Sequence, residues 1–474
     1  MNAPMRCIAA AGAAFLLAAS AAMLALATSP AAAMTIERVV SPGGIEAWLV
    51  RDHTLPMIAV EFAIRGSADQ DPPGKPGVAN MATSLLDEGA GPYDAAAFHD
   101  RLERKAIELS FRAGRDYLRG TLRTLKDNQD EAFDYLRLAL AEPRFDPADV
   151  ERMRAQLMSR VQREATNPND IASRNWWATA FPGHPYGEPV NGTLESLPRI
   201  TAEDLKTYVR RVVARDHLKI AVVGDIDAAT TGALLDRTFG VLPAKAQLAP
   251  VANVVPQGLG STIVVHLDVP QAVVNFGGPG IARSDPDFMA AYIVNHVLGG
   301  GSFSSRLYRE VREKRGLAYG VHDSLIWLEH TSLVLGSTAT RADATGQSIE
   351  IVEHEFRRMA EQGPTAEEFD KAKTYLKGSF ALGLDTSNRI AGQLVQMQLD
   401  NLGIDYIQRR PGIIDAVTLD DAKRVAKRLL DGGLLITVVG RPHGVTSTGS
   451  GVATSSGHLA KPSETPAGRG PEPR

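Results

Sequence analysis

The sequence predicts an α+β fold built from two homologous halves, each a sheet covered by helices. The first observation is an internal repeat, because residues 200–224 return as residues 417–440 with a capped helix and a β-branched run in the same order. The second is that other matches keep nearly the same offset, such as residues 85–89 with residues 297–301. A duplicated α+β unit is the simplest explanation of both observations.

Each half reads as two strands, a long helix, more strands, several helices and a closing strand. Near the start, residues 44–50 and 57–64 have strand character, and the second segment alternates apolar residues along its length. A helix is expected to begin at Pro147. Its counterpart begins after Thr365, where Glu368 completes a capping box. This order predicts an antiparallel or mixed sheet covered on one face by helices.

Composition marks the boundaries between the segments of the chain. The N-terminus has a basic residue, an Ala- and Leu-rich run and a small-residue cleavage signature, as in secretory signal peptides. Proline and small residues separate the halves, and the C-terminus is rich in Gly, Ser, Thr and Pro. The predicted segments are a signal peptide (1–33), a first half (34–243), a linker (244–260), a second half (261–443) and a disordered tail (444–474).

Charge, cysteine content and hydropathy limit the possible partners and compartment. Cys7, the only cysteine of the 474 residues, lies in the predicted signal, so the exported protein would have no thiol for a disulfide or a metal. We therefore expect a periplasmic protein. A membrane anchor would need a longer uninterrupted apolar run, and nothing after residue 33 is expected to cross a bilayer. The net charge of −4 gives no basic footprint for nucleic acid.

Residues 73–86 have the frame of a zinc-peptidase helix without its metal-binding groups. In the inverted motif H-x-x-E-H, two imidazoles one helical turn apart hold zinc, and the glutamate activates the bound water. The corresponding places here are Asn80, Thr83 and Ser84. Neutral hydroxyls and an amide cannot replace these ligands, so we predict no catalytic zinc and expect the helix to retain a packing role alone.

Four landmarks in order resemble the pitrilysin or insulinase family, whose shorter members include the mitochondrial processing peptidase and bacterial relatives. The likeness spans about residues 36–441, and its landmarks are residues 65–79, 181–187, 299–302 and 305–319. The resemblance implies a clamshell of two homologous halves around a chamber, with zinc in the first half of catalytic members. It also implies that a peptide substrate adds as a strand to a sheet edge.

The resemblance implies a third zinc ligand as well, a glutamate on the helix that begins near Pro147. The matching places here are Ser159 and Arg160, and the nearest carboxylate, Glu164, lies one helical turn further along. A guanidinium at Arg160 would repel zinc. The third ligand position is therefore degenerate too.

In the second half the family landmark is intact. Catalytic assemblies of the family carry an arginine and a tyrosine seven residues apart, which Arg312 and Tyr319 match. A guanidinium can bind a peptide carbonyl or carboxylate, and a phenol can donate to an oxyanion. Two structural alternatives remain, because Arg312 lies in a charged run typical of a solvated helix face and Tyr319 alternates with apolar neighbours like a core residue.

The resemblance also implies a flexible substrate-binding loop before this pair. Glycines allow a peptide backbone to approach closely, because they have no side chain. The loop is expected to comprise Gly299, Gly300, Gly301 and Ser302.

Together these features predict a non-catalytic subunit of a heterodimeric zinc metallopeptidase. The chain would hold no cofactor itself. Zinc would be bound by a homologous partner subunit, and the substrate would be a peptide or an unfolded protein. The alternative is a catalytically inert peptide-binding or scaffold protein of the same fold. An active homodimeric peptidase would require a different metal site.

Overall fold

The computed structural model describes residues 34–449 and contains two sheets with helices around them. The predicted signal peptide and the tail beyond residue 449 lie outside the described residues. Within residues 34–449, no helix combines the length and hydropathy needed to span a bilayer.

The first half contains six strands and seven helices within the described residues. Its strands are β1 (Glu37–Val40), β2 (Glu46–Arg51), β3 (Met57–Arg65), β4 (Glu108–Ala113), β5 (Tyr117–Leu125) and β6 (Lys219–Gly224). Its helices are α1 (Val78–Thr83), α2 (Ala95–Arg104), α3 (Gln129–Ala141), α4 (Pro147–Glu164), α5 (Pro168–Ala180), α6 (Ala202–Val212) and α7 (Ala228–Phe239).

The second half contains five strands and seven helices in the same part of the chain. Its strands are β7 (Thr262–His266), β8 (Gln271–Pro279), β9 (Ala318–Trp327), β10 (Ser332–Arg341) and β11 (Leu435–Gly440). Its helices are α8 (Phe288–Asn295), α9 (Arg306–Tyr308), α10 (Thr345–Gln362), α11 (Ala366–Leu382), α12 (Ser387–Leu399), α13 (Tyr406–Ala416) and α14 (Leu419–Leu430).

The two sheets have the same topology, which confirms the predicted duplication. The first sheet has the order β1-β2-β6-β3-β5-β4 and the second β7-β11-β8-β10-β9, so five strands correspond one to one. In each sheet the closing strand runs parallel to the first strand of this shared set and antiparallel to the second. The predicted capping boxes are present at Thr201, Thr365 and Thr418.

A single packing detail is repeated in both sheets. Phe62 of β3 lies directly opposite Gly120 of β5, and Phe276 of β8 lies directly opposite Gly336 of β10. A Cβ at Gly120 would lie 2.2 Å from the Phe62 ring, and a Cβ at Gly336 would lie 2.3 Å from the Phe276 ring. The glycines therefore leave the space that each buried aromatic ring fills.

The halves exchange a helix, so each sheet is covered on both faces. Helix α12 of the second half packs on β3 and β6, and Gln398 Nε2 donates to the carbonyl of Ile220 at 2.9 Å. Helix α5 of the first half packs on β8 and β11, where Trp176 Nε1 donates to the carbonyl of Leu435 at 3.0 Å. The prediction that helices cover one face is therefore wrong, because each half supplies the second layer of the other.

Polar groups also join the halves around Asp116, which is 3% exposed. Its carboxylate accepts a hydrogen bond from the Tyr186 hydroxyl at 2.5 Å and one from the backbone N–H of Glu329 at 3.0 Å. Burial raises the pKa of Asp116, although these hydrogen bonds oppose the shift. The space between the halves is a cleft of about 530 Å3, which is the size of a small-molecule site.

Hydrogen bonds attach both the linker and the start of the tail to the folded halves. Residues 244–260 form no helix or strand. They are held by a hydrogen bond from Gln247 N–H to Arg211 O (2.7 Å) and one from Val254 N–H to His330 O (2.9 Å). The predicted disorder is wrong for residues 444–449, because Thr448 N–H donates to the carbonyl of Thr262 on edge strand β7 at 2.9 Å.

Candidate functional site

Helix α1 is held at its N-terminus by the carboxylate of a half-buried aspartate. Asp71 accepts hydrogen bonds from the backbone N–H groups of Gly77 and Ala79, both at 2.7 Å. Burial raises the pKa of Asp71 to about 7, although these two hydrogen bonds oppose the shift. Gly77 has a φ of 99°, and a Cβ there would lie 2.9 Å from the Cα of Gly192. The zinc-motif helix is thus fixed firmly in place.

The three zinc-motif positions in and directly after α1 carry neutral groups. The Thr83 hydroxyl donates to the carbonyl of Ala79 at 2.5 Å and is 1% exposed. The Asn80 side-chain nitrogen is buried without a hydrogen-bond partner among the described residues. Ser84 ends the helix, where its N–H donates to the carbonyl of Asn80. The predicted apolar residues all pack in the first core: Val78 and Met81 lie on the helix, and Leu85 and Leu86 lie in the turn that follows it.

The third ligand position carries an ion pair on helix α4. Arg160 Nε lies 3.0 Å from Glu164 Oε1, and the Arg160 side chain is 57% exposed. Glu164 Oε1 also accepts a hydrogen bond from the Asn191 amide at 2.8 Å. Within residues 34–449 there is no group of three or more His, Cys, Asp or Glu side chains that could hold a metal ion.

In the second half, the structure brings Arg312 and Tyr319 together. The Arg312 guanidinium lies 4.7 Å from the ring centroid of Tyr319 and 4.9 Å from that of Tyr308, and it donates to the Tyr308 hydroxyl. These distances are those of cation–π contacts. Tyr319 is 84% exposed, so it is not a core residue. The guanidinium is therefore held between two rings, and the second ring faces solvent.

The segment that carries Arg312 is anchored by a buried ion pair. Arg306, 2% exposed, contacts Glu368 of α11 at 2.6 Å and donates to the carbonyl of Gly363 at 2.9 Å. Although burial opposes the shift, hydrogen bonds from Arg306 and from the backbone of Thr365 hold the pKa of Glu368 at about 2. The charged run around Arg312 is therefore only partly a solvated face, because its first arginine is a core residue.

The predicted glycine loop is a helical turn in the structure. Gly299 and Gly300 belong to a π-helical turn, His296–Gly300, which continues α8, and Ser302 has a φ of 48°. Arg312 lies in a second π-helical turn, Arg309–Glu313. The expectation of a flexible loop is corrected in this respect, because the glycines are needed for close packing rather than for an open chain. π-Helical turns occur often at functional sites.

A buried carboxyl beneath the first π-helical turn was not predicted. Asp323 is 1% exposed, its Oδ1 accepts a hydrogen bond from the Asn295 amide at 2.7 Å, and its Oδ2 has no partner within the described residues. A Cβ at Gly299 would lie 2.5 Å from Asp323 Oδ1. Burial raises the pKa of Asp323 to about 8, and the bond from Asn295 opposes the shift. A sequence signal for this burial was available, because Asp323 alternates with Val321 and Leu325 and so lies on the same face of β9 as they do.

Exposed aromatic residues surround the Arg312–Tyr319 pair. Phe303, 72% exposed, makes an edge contact with Tyr308 at 5.1 Å between ring centroids. Tyr375, 60% exposed, stacks on His296 at 4.9 Å. Phe303, His296 and Tyr375 line a groove of about 540 Å3. We call Phe303, Tyr319, Tyr375 and this groove the aromatic surface.

Both halves of the chain match models of a known protein family. A family model described as insulinase (peptidase family M16) matches residues 49–194, and one described as peptidase M16 inactive domain matches residues 199–376. The non-peptidase homologue YmxG of Helicobacter pylori is 29% identical over 337 residues, 71% of this chain and 77% of that protein. An uncharacterized zinc protease of Streptomyces coelicolor is 28% identical over 419 residues, 86% of this chain and 90% of that protein.

Solved structures agree with these sequence matches. A peptidase M16 inactive domain from Pseudomonas fluorescens has a TM-score of 0.80 and 27% identity, covering 86% of this chain and 98% of that one. A protease from Helicobacter pylori has a TM-score of 0.77 and 21% identity, covering 86% of this chain and 99% of that one. The two family models together match most of the chain, and both halves match in order. The chain therefore belongs to the insulinase family, peptidase family M16.

Proposed function

We propose that this chain is the non-catalytic subunit of a heterodimeric zinc metallopeptidase. It would supply Arg312 and Tyr319 to a homologous partner that carries zinc and hydrolyses peptides or unfolded proteins. The observation that carries the proposal is the exposed Tyr319 ring stacked on Arg312. The same chain has Asn80 and Ser84 in place of the two zinc-binding histidines and Thr83 in place of the catalytic glutamate.

The position of Tyr319 supports action on another molecule rather than on this chain. Its ring stands on β9 at an irregularity in the pairing with β10, between the paired residues Ala318 and Val321. The Thr338 hydroxyl donates to the adjacent carbonyl of Gly320 at 2.9 Å, which holds this part of the strand in place. Its exposure of 84% leaves the hydroxyl free to reach a group outside this chain. A tyrosine held in this way can donate a hydrogen bond at low entropic cost.

The aromatic surface supports a partner chain over the pair. Aromatic residues and arginine are enriched at the centres of protein interfaces, and large exposed apolar patches mark interaction sites. The cleft between the halves of this chain, about 530 Å3, has the volume of a small-molecule site. A chamber for a peptide would therefore be formed between this chain and a second one.

The proposed chemistry assigns one role to each side chain. Zinc in the partner would activate the water that attacks the scissile carbonyl. The Tyr319 hydroxyl would donate to the oxyanion that develops, and the Arg312 guanidinium would bind a neighbouring carbonyl or carboxylate of the peptide. Loss of one such oxyanion donor lowers kcat by roughly 10²–10³-fold.

We further propose that the complex acts in the periplasm, reached through the signal peptide of residues 1–33. The Ala- and Leu-rich run and the small-residue stretch before residue 34 support export. Fractionation of cells that produce the full chain, with N-terminal sequencing of the mature protein, tests both points. Recovery from the cytoplasm with residue 1 intact would contradict them.

The test of the main proposal mixes the purified chain with an H-x-x-E-H homologue from the same organism and follows cleavage of an unstructured fluorogenic peptide. We expect cleavage only in the mixture. Tyr319→Phe, which removes a single hydroxyl, and Arg312→Gln should each lower kcat about 100-fold without changing assembly. Tyr93→Phe, a half-buried tyrosine of the first half, is the matched control and should leave kcat unchanged.

Two results would contradict the proposal. Unchanged kcat in both variants of the pair would remove their assigned role. Peptide binding without cleavage in the mixture would favour the inert peptide-binding or scaffold protein, an alternative supported by the name of the relative from Helicobacter pylori.

A further inference from the structure

The cleft between the halves has more guanidinium groups than free carboxylates to pair with them. It lies between the β4–β5 hairpin of the first half and the β9–β10 hairpin of the second, beside the end of α12. The charged side chains that line it are Arg112, Arg115, Arg119, Arg283, Asp116, Glu329 and Asp400. The cleft has therefore one more positive than negative group.

Two of these arginines lie directly opposite each other across β4 and β5. Arg112 and Arg119 are cross-strand partners, a pairing that repels when both members carry the same charge. Arg112 contacts Glu61 at 3.3 Å and is 67% exposed. Arg119 donates to the Gln396 side-chain oxygen at 2.5 Å. Within residues 34–449, no carboxylate lies within 4.0 Å of its guanidinium. Burial lowers the pKa of Arg119. Attraction from Glu61 and Asp400 opposes this shift, and repulsion by Arg112 adds to it.

The carboxylates of the cleft are engaged elsewhere. Asp400 accepts hydrogen bonds from Trp327 Nε1 at 3.0 Å and Gln396 Nε2 at 2.9 Å, and Arg283 lies 3.6 Å from it. Asp116 is occupied by Tyr186 and the backbone of Glu329, and the Glu329 side chain accepts from the Tyr117 hydroxyl. None of them lies within 4.0 Å of Arg119. Its guanidinium therefore faces a half-enclosed space without a contacting carboxylate, beside Arg112, which is paired with Glu61.

We propose that this cleft binds a small oxyanion, a carboxylate or a phosphate, between Arg112 and Arg119 of the first half and Arg283 of the second. Guanidinium groups match the planar or tetrahedral oxygens of such anions with paired hydrogen bonds. A bound anion would relieve the repulsion across β4 and β5 and would join the two halves.

This site is separate from the Arg312–Tyr319 pair. Trp327 at the cleft and Tyr319 lie at opposite ends of β9, and eight residues of extended strand span about 26 Å. The proposal therefore does not depend on the proposed peptidase role, and its test needs no partner subunit.

The test measures thermal unfolding of the full chain in sodium phosphate, sodium citrate and sodium chloride at matched ionic strength. We expect a saturable rise in Tm with phosphate, citrate or both, and none with chloride. Arg119→Gln should raise the half-saturating concentration at least tenfold. Arg123→Gln is the matched control on the same strand, because Arg123 pairs with Glu108 at 2.7 Å, and it should keep the response.

The choice of anion identifies the ligand class, and the arginine variants test the site. A rise with phosphate alone assigns a phosphate ligand, and a rise with citrate alone assigns a carboxylate. Without added anion, Arg119→Gln should unfold at the same temperature as the wild type or higher, because the repelling pair is gone. Arg112→Gln, the exposed member of the pair, gives the same expected loss if Arg119→Gln fails to fold. An absent rise in Tm, or an unchanged response in the arginine variant, would overturn the proposal.

Discussion

Replacement of Asp323 by asparagine should change how the stability of the protein depends on pH. Burial raises the pKa of Asp323 to about 8 in the folded protein, from an ordinary value of 3.8. Between these values the folded state binds one more proton than the unfolded state, so the wild type loses stability as pH rises. The amide of the variant cannot titrate. The unfolding free energy of Asp323→Asn minus that of the wild type should therefore increase by about 1.4 kcal/mol per pH unit from about pH 4 to about pH 8.

The assay is urea denaturation followed by tryptophan fluorescence at pH 5, 6, 7 and 8. A constant offset is expected in addition, because the new amide nitrogen has no partner where Oδ2 is unpaired and its burial costs about 1–3 kcal/mol. The slope of the free-energy difference against pH does not depend on that offset. Ser324→Ala, an exposed neighbour on the same strand, serves as the control and should give a difference that is flat with pH, because it removes no titratable group. A flat difference for Asp323→Asn would refute the assignment of a raised pKa to this carboxyl.

The remaining predictions concern packing that the two halves share or repeat. Trp176→Ala should lower the unfolding free energy by about 3–5 kcal/mol in urea denaturation, because the fully buried ring packs on the sheet of the other half; a loss below about 1 kcal/mol would contradict the helix exchange. Gly336→Ala should cost about 1–3 kcal/mol because its Cβ would lie 2.3 Å from the Phe276 ring. Combining it with Phe276→Leu should recover part of that cost, and purely additive effects in a double-mutant cycle would exclude the contact.

Much of the fold follows from local patterns that recur in the chain. Capping boxes at Thr201, Thr365 and Thr418 fix where three helices begin, and β-branched runs fix the two closing strands. These signals depend on residues within one turn or one strand, so they can be read without knowledge of distant contacts. The exchange of α5 and α12 could not be read in this way, because either helix would be equally amphipathic over its own sheet.

In the candidate site, too, some features follow from residue identity and others depend on distant contacts. The loss of the two zinc-binding histidines at Asn80 and Ser84 and of the catalytic glutamate at Thr83 is a matter of residue identity, so it can be read directly from the sequence. The flexible loop expected at Gly299 is a π-helical turn because Asp323, on a strand far along the chain, leaves no room for a side chain there. Exposure of Tyr319 also depends on the fold, since alternation along β9 was equally compatible with burial.

By itself the sequence determined the duplicated α+β architecture, the helix starts and the loss of the metal ligands, because each depends on residue type and short spacing. Only the tertiary structure decided which half covers which sheet, that the Asp323 carboxyl is buried, and that Arg119 faces a cleft without a contacting carboxylate. The physical reason is that burial and charge compensation are set by contacts between residues distant in the chain, and local periodicity carries no record of those partners.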